Sequence, residues 1–132
     1  MSIFESKIEL ALPVSEVYEF LADFNNHERL MPGNVSNWSS TRDEARFSVQ
    51  NFAALELKIS NRIENHTIII IPAGEVPFMI EMRWVLADLG ENVTEAILTI
   101  SAQLNMMMKV MAAGPLQKLA DHQTKSLSKL LL

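Results

Sequence analysis

The stretch from Asn105 to Leu132 constrains the fold most. It reads as one amphipathic helix, because Met108, Met111, Pro115, Leu116, Leu119, Gln123, Leu127 and Leu130 share a broad stripe. Lys118, Asp121, Lys125 and Lys129 lie mostly opposite, and lysines near the end suit the negative pole of a helix. Roughly 28 residues at ~1.5 Å each reach ~42 Å, enough to cross a whole small sheet. Pro115 removes a helical hydrogen bond, so a bend or short break is expected at Gly114-Pro115. Such a helix needs an apolar surface of matching length, which the preceding residues must supply.

They do so with period-two runs. In residues 3–12, Phe4, Ser6, Ile8, Leu10 and Leu12 fall on one face and Ile3, Glu5, Lys7 and Glu9 on the other, the pattern of a half-buried strand. Pro13 closes it. From Val14 the period changes to about 3.6 residues, with Val14, Val17, Phe20, Leu21 and Phe24 forming a helical stripe that Asn25-Asn26 should stop or cap. A short helical turn from His27 to Met31 is expected before Pro32-Gly33. Strands follow at 35–40, 45–50, 55–64, 67–71, 78–86 and 95–104. They are separated by Thr41-Arg42-Asp43-Glu44, a loop around Asn51-Phe52-Ala53, the turn Asn65-His66, the loop Pro72 to Pro77, and a hairpin-type turn at Gly90-Glu91-Asn92. Neighbouring strands joined by short turns imply an antiparallel meander with one apolar face.

The 132 residues suffice for one domain with a single core, spanning residues 1–132. Sixteen acidic against eleven basic residues, with no basic run, argue against a nucleic-acid role, which needs a positive face to neutralise phosphates. Cysteine is absent, which removes disulfides, thiol nucleophiles and thiolate metal sites. The charged amino terminus does not resemble a secretory signal, and no apolar run approaches the ~20 residues of a membrane span. A cytoplasmic address without integral membrane association is therefore expected. Asn34, Asn37, Asn65 and Asn92 each begin an Asn-x-Ser/Thr match, read as turn and strand chemistry rather than glycosylation.

The order of elements, with a strand ending in Leu12-Pro13, the helix Val17-Tyr18-Glu19-Phe20-Leu21-Ala22-Asp23 and a segment closing at Leu30-Met31-Pro32, resembles the START/Bet v1-like (SRPBCC) superfamily. Bacterial members similarly have a strand, a proline and a "VYxFLxD"-like helix leading to a second proline. The resemblance implies an α+β helix-grip fold: a seven-stranded curved antiparallel sheet wrapped around a long C-terminal helix, with two short helices between strands 1 and 2. It also implies a cavity between sheet and helix that takes a small hydrophobic molecule, such as a lipid, sterol, polyketide or aromatic compound. Some members of the superfamily cyclise or otherwise transform such molecules, so a polyketide cyclase, hydratase or isomerase is an alternative. A regulatory protein-interaction module is a third reading. In place of the glycine-rich loop of plant members stands Thr41-Arg42-Asp43-Glu44, so a phosphate-cradling role has no support there.

On this reading the ligand-binding candidates are Leu57, Ile59, Asn61, Phe78, Ile80, Met82, Trp84, Leu98 and Ile100 on the strands, with Met108 and Met111 on the helix. Periodicity places the strand residues inside but does not distinguish a cavity lining from a solid core. Asn61 stands out as the polar position on an otherwise apolar face. It could bond a ligand's polar end or be satisfied by backbone or water. The run Met106-Met107-Met108, with Met111, offers unbranched, polarizable side chains that adapt to varied apolar partners. His27 and His66 are read as solvated turn residues, and His122 as unpaired with Asp121, since adjacent helix positions diverge. No metal-binding motif or nucleophile elbow occurs, and nearly every carboxylate falls on a wet face or in a turn; Asp88 is placed at a rim. No catalytic residue, metal or cofactor is assigned, and binding is preferred to catalysis.

Overall fold

The computed structural model describes residues 1–50 and 52–131. Asn51, expected in a loop, and Leu132, expected to end the last helix, lie outside the described residues. The elements are β1 (Ser2–Leu10), α1 (Val14–Leu21), a 3-10 helix (Phe24–Leu30), β2 (Val35–Ser40), β3 (Glu44–Val49), β4 (Ala53–Ile63), β5 (Thr67–Pro72), β6 (Ile80–Gly90), β7 (Val93–Ala102) and α2 (Met106–Leu130). All seven strands form one antiparallel sheet in the order β1-β7-β6-β5-β4-β3-β2. This is the helix-grip architecture that the resemblance implies. Every strand after β2 pairs with its predecessor, while β1 pairs with β7 at the far edge. The two short helices carry the chain from one edge of the sheet to the other.

Local chemistry explains most boundaries. Asn65 and Asn92 adopt positive φ at the β4–β5 and β6–β7 turns, at 59° and 60°, and Asn37 does so at 57° at the irregularity within β2; asparagine tolerates this better than most residues. α1 ends at Leu21, earlier than the apolar stripe suggests, because Asp23 leaves helical geometry and accepts from the Asn25 amide to open the 3-10 helix. Asn26 donates to the Phe20 carbonyl, satisfying part of the α1 terminus. In the 3-10 helix, Phe24, His27 and Leu30 are buried, as a three-residue period demands.

α2 is continuous from Met106 to Leu130, so of the bend or short break expected at Gly114-Pro115 the break does not occur. One missing amide costs one rung, whereas Ala112, Leu116 and Leu119 anchor both sides of that position in the core. The helix packs chiefly along β1, with smaller contacts to β7 and the 3-10 helix. Among the described residues, no helix is long and apolar enough to cross a membrane.

Candidate functional site: the interior between the sheet and α2

Of the expected interior positions, Leu57, Ile59, Phe78, Ile80, Met82, Trp84, Leu98 and Ile100 are all buried and belong to one apolar cluster. Met108 is half-buried against that cluster. Met111 is 63% exposed and is not part of the inner stripe. The helix is rotated so that the small Ala112 is buried instead. Met106, Met107 and Val110 are exposed beside Met111.

Asn61 is also not inside. The ladder shifts register between Ile59 and Asn61, and this bulge reverses the alternation along the rest of β4. Asn61 is exposed, with its side-chain oxygen accepting from the Ser60 hydroxyl. Arg62 takes the inward phase. Its Nε donates to the Ala22 carbonyl at 2.8 Å, and its Nη2 reaches the Arg42 carbonyl and the Asp43 carboxylate, at 3.1 and 2.8 Å. Arg62 thus ties the end of α1 and the β2–β3 turn to β4.

Across the sheet, the register sets Arg62, Ile68, Trp84, Leu98 and Ser6 in one row running from β4 to β1. The row ends at α2, because the Ser6 and Thr124 hydroxyls are 2.7 Å apart. Thr124 donates to the Asp121 carbonyl, so Ser6 is the donor between the two hydroxyls. Gln123, beside Thr124, is fully buried. At the other end of the row, the Leu21 and Ala22 carbonyls receive His27 Nε2, at 2.8 Å, and Arg62 Nε. The 3-10 helix closes the circuit, since His122 of α2 donates from Nδ1 to the Leu30 carbonyl at 3.0 Å.

Three fully buried side chains have polar atoms with no partner among the described residues: His27 Nδ1, Trp84 Nε1, and both Nε2 and Oε1 of Gln123. Buried polar atoms are nearly always hydrogen-bonded, so each of these calls for an explanation. A carbonyl can only accept, so the neutral His27 ring carries its proton on Nε2 and leaves Nδ1 as a bare acceptor. Burial pulls the His27 pKa from 6.5 down to about 4, against the opposing pull of the Leu21 carbonyl and the Asp23 charge; the Arg62 charge lowers it further. Trp84 offers a donor only, and Gln123 offers both kinds of group. The solvated turn expected for His27 is therefore corrected. Its signal was the Phe24, His27, Leu30 spacing, which reads as polar chain at a helical period of 3.6 and as one buried face at a period of three. Gln123 was visible as a polar member of the helix stripe, but nothing in the sequence showed that its amide would go unpaired.

Aromatic rings flank this layer. Trp38 stacks on Phe47 with centroids 5.2 Å apart, and Phe24 meets both Trp38 and His27 edge-on. Asp88 lies at the rim, exposed, accepting from the Gly90 amide. Among the described residues, His27 is the fully buried titratable side chain, and no carboxylate is buried with it. The interior is therefore apolar, with a few neutral polar groups set in it.

No protein-family model matches the sequence, and no curated protein matches it significantly. Solved structures do resemble the fold over nearly its whole length. A START superfamily protein from Mycobacterium smegmatis superposes with a TM-score of 0.70 at 16% identity, covering 98% of this chain and 96% of that one. The Zhui aromatase/cyclase from Streptomyces sp. R1128 gives 0.72 at 13% identity, over 98% and 93%. XoxI from Bacillus cereus gives 0.78 at 9% identity, over 99% and 96%. The chain has the START/Bet v1-like, or SRPBCC, fold.

Proposed function

We propose that the protein binds or carries a small hydrophobic molecule in the interior between the sheet and α2. The observation that carries this reading is the set of unpartnered polar atoms on His27, Trp84 and Gln123 inside an otherwise apolar core. An unpaired buried polar group costs roughly 1–3 kcal/mol, and a ligand that pairs these atoms recovers that cost. Binding energy would come from apolar contact with Met82, Trp84, Leu98, Ile100 and their neighbours Leu57, Ile59, Phe78 and Ile80. Met108 sits where α2 begins, so movement of the first turns would admit the ligand. Met111 and Asn61, both exposed, would act at the entrance if they act at all. Methyl NMR spectra recorded while titrating sterols, flavonoids, quinones and fatty acids test the reading. Shifts at Met82, Leu98 and Met108 methyls are expected, whereas shifts confined to surface residues would rule the interior site out.

A cyclase-like enzyme is the second reading, supported by His27, a neutral base held inside the fold with a free acceptor nitrogen. The solved aromatase/cyclase of like fold lends it a precedent. Turnover of a poly-β-ketone analogue that disappears in His27→Gln, while ligand-induced methyl shifts persist, would favour catalysis over carriage.

A further inference from the structure

We infer that the outward face of α2 docks on the surface of an anionic lipid bilayer. The apolar side chains at its start enter the acyl boundary, and the lysines along it meet the lipid phosphates. The contact is peripheral, since among the described residues no helix is long and apolar enough to cross a membrane. It stands apart from the ligand reading and does not rest on it.

The exposed side chains of α2 are of two kinds. Met106, Met107, Val110 and Met111 occupy its first turns, while Lys109, Lys118, Lys125 and Lys129 are spread along its length. No carboxylate of the helix is exposed, because Asp121 is half-buried and accepts from the Gln117 amide at 3.2 Å. Among the described residues none of these four lysines has an ion-pair partner, although the chain carries a formal charge of −5. Lys7, Arg46, Arg62 and Arg83, by contrast, each lie against a carboxylate. The unpaired cations are thus gathered on the one helix that also exposes a run of apolar side chains.

Helical geometry puts the two kinds in line. At 3.6 residues per turn, Met107, Met111, Lys118, Lys125 and Lys129 fall within ~40° of one another around the axis and span ~33 Å along it. The opposite face holds the buried Ala112, Leu116, Leu119 and Leu127. Gly114 lies beside the line, and a Cβ built there would meet nothing within 4 Å, so the molecule leaves that part of the stripe uncovered. Met79, also exposed, accepts the Gln103 amide on its carbonyl and so adds an apolar side chain beside the approach to α2.

This pairing of chemistries selects the partner. A nucleic acid would meet the lysines and leave the methionines in water. A second copy would bring four more lysines to a face that has no exposed carboxylate to receive them. A bilayer containing anionic lipid takes both, since its surface attracts lysines and its acyl boundary accepts apolar side chains. Methionine suits that boundary because its unbranched chain adapts to irregular apolar surroundings.

Flotation of the full chain with vesicles tests the proposal, comparing phosphatidylcholine alone with phosphatidylcholine containing roughly one-third phosphatidylglycerol. Partitioning at least tenfold stronger on the anionic vesicles is expected, and it should fall as salt rises from about 0.05 to 0.5 M. The triple substitution Lys118→Gln, Lys125→Gln, Lys129→Gln should weaken it at least tenfold, since each lysine near such a surface is worth about fivefold. The double substitution Met107→Ser, Met111→Ser should weaken it several-fold. All five positions are exposed, so melting temperatures should stay within a few degrees of wild type, separating lost docking from lost fold. Equal partitioning on the two kinds of vesicle overturns the role of the lysines. Weakening by the lysine variant alone overturns insertion and assigns the face to an acidic protein or other polyanion. A dimer in analytical ultracentrifugation that the methionine variant dissociates assigns it to a second copy instead. Absence of flotation with either vesicle overturns the docking surface.

Discussion

His27 sits 0% exposed with its ring edge-on to Phe24, and its ionisation is linked to folding. Its folded pKa of about 4 lies below the ordinary 6.5. Above pH ~6.5 the ring is neutral in both states and costs nothing. Between about pH 6.5 and 4 the unfolded chain takes up a proton that the folded chain refuses, so stability falls as pH falls. Below about pH 4 both states are protonated and the loss levels off. At ~1.4 kcal/mol per pH unit the window is worth roughly 3 kcal/mol. Urea unfolding at pH 7.0 and 4.5 should show this loss in the wild type, and His27→Gln should remove most of that difference. An equal loss in both proteins would mean that other groups drive it.

Asn61 and Arg62 show a second residue-scale effect. One bulge exchanges their environments, so Arg62→Met should cost on the order of 1–3 kcal/mol by stranding the Ala22 carbonyl, and Asn61→Ser should be near neutral in the same urea assay. Neither outcome is readable from the alternation of β4, because period-two reasoning has no term for an inserted residue.

At the scale of elements, α2 has two halves held in different ways. Its start is capped by Asn105, whose side chain accepts from the Met108 amide at 2.8 Å. Asn105→Ala should therefore cost about 1 kcal/mol, measured by thermal unfolding followed by circular dichroism. Pro115 lies inside the helix without breaking it. Replacement by alanine restores a backbone hydrogen bond, and a gain of roughly 1–3 kcal/mol is expected. A loss on Pro115→Ala would show that the proline fixes a bend the core requires. The helix, its length and its stripe are legible in the sequence. Its rotation is not, because Met111 and Ala112 differ by ~100° around the axis and hydrophobicity alone favours the larger side chain.

At the scale of the molecule, β1 extends the sheet beyond β7 and pairs with it along its full length, from Ser2–Ala102 to Leu10–Thr94. Leu98 stands between Trp84 and Ser6 in the row that joins β6, β7 and β1. Leu98→Ala should cost roughly 2–5 kcal/mol through lost burial and a cavity in the layer, readable as a lowered urea midpoint with an unchanged slope. Pairing of the first strand with the last also imposes long-range contacts, so folding in the millisecond-to-second range is expected by stopped-flow fluorescence of the tryptophans.

The sequence by itself determined the strands, the short helices, the long closing helix, and which face of most elements is apolar. Those follow from periodicity and turn chemistry, which are local. The tertiary structure decided the polar features of the interior: His27 buried, Gln123 without a partner among the described residues, Arg62 turned in and Asn61 turned out. Each depends on an event between distant segments, such as a bulge, a three-residue helical period set against a sheet, or the absence of a partner across the core. Apolar residues reach the core by a property they carry with them, whereas the pairing of a polar atom is settled by what the fold brings beside it.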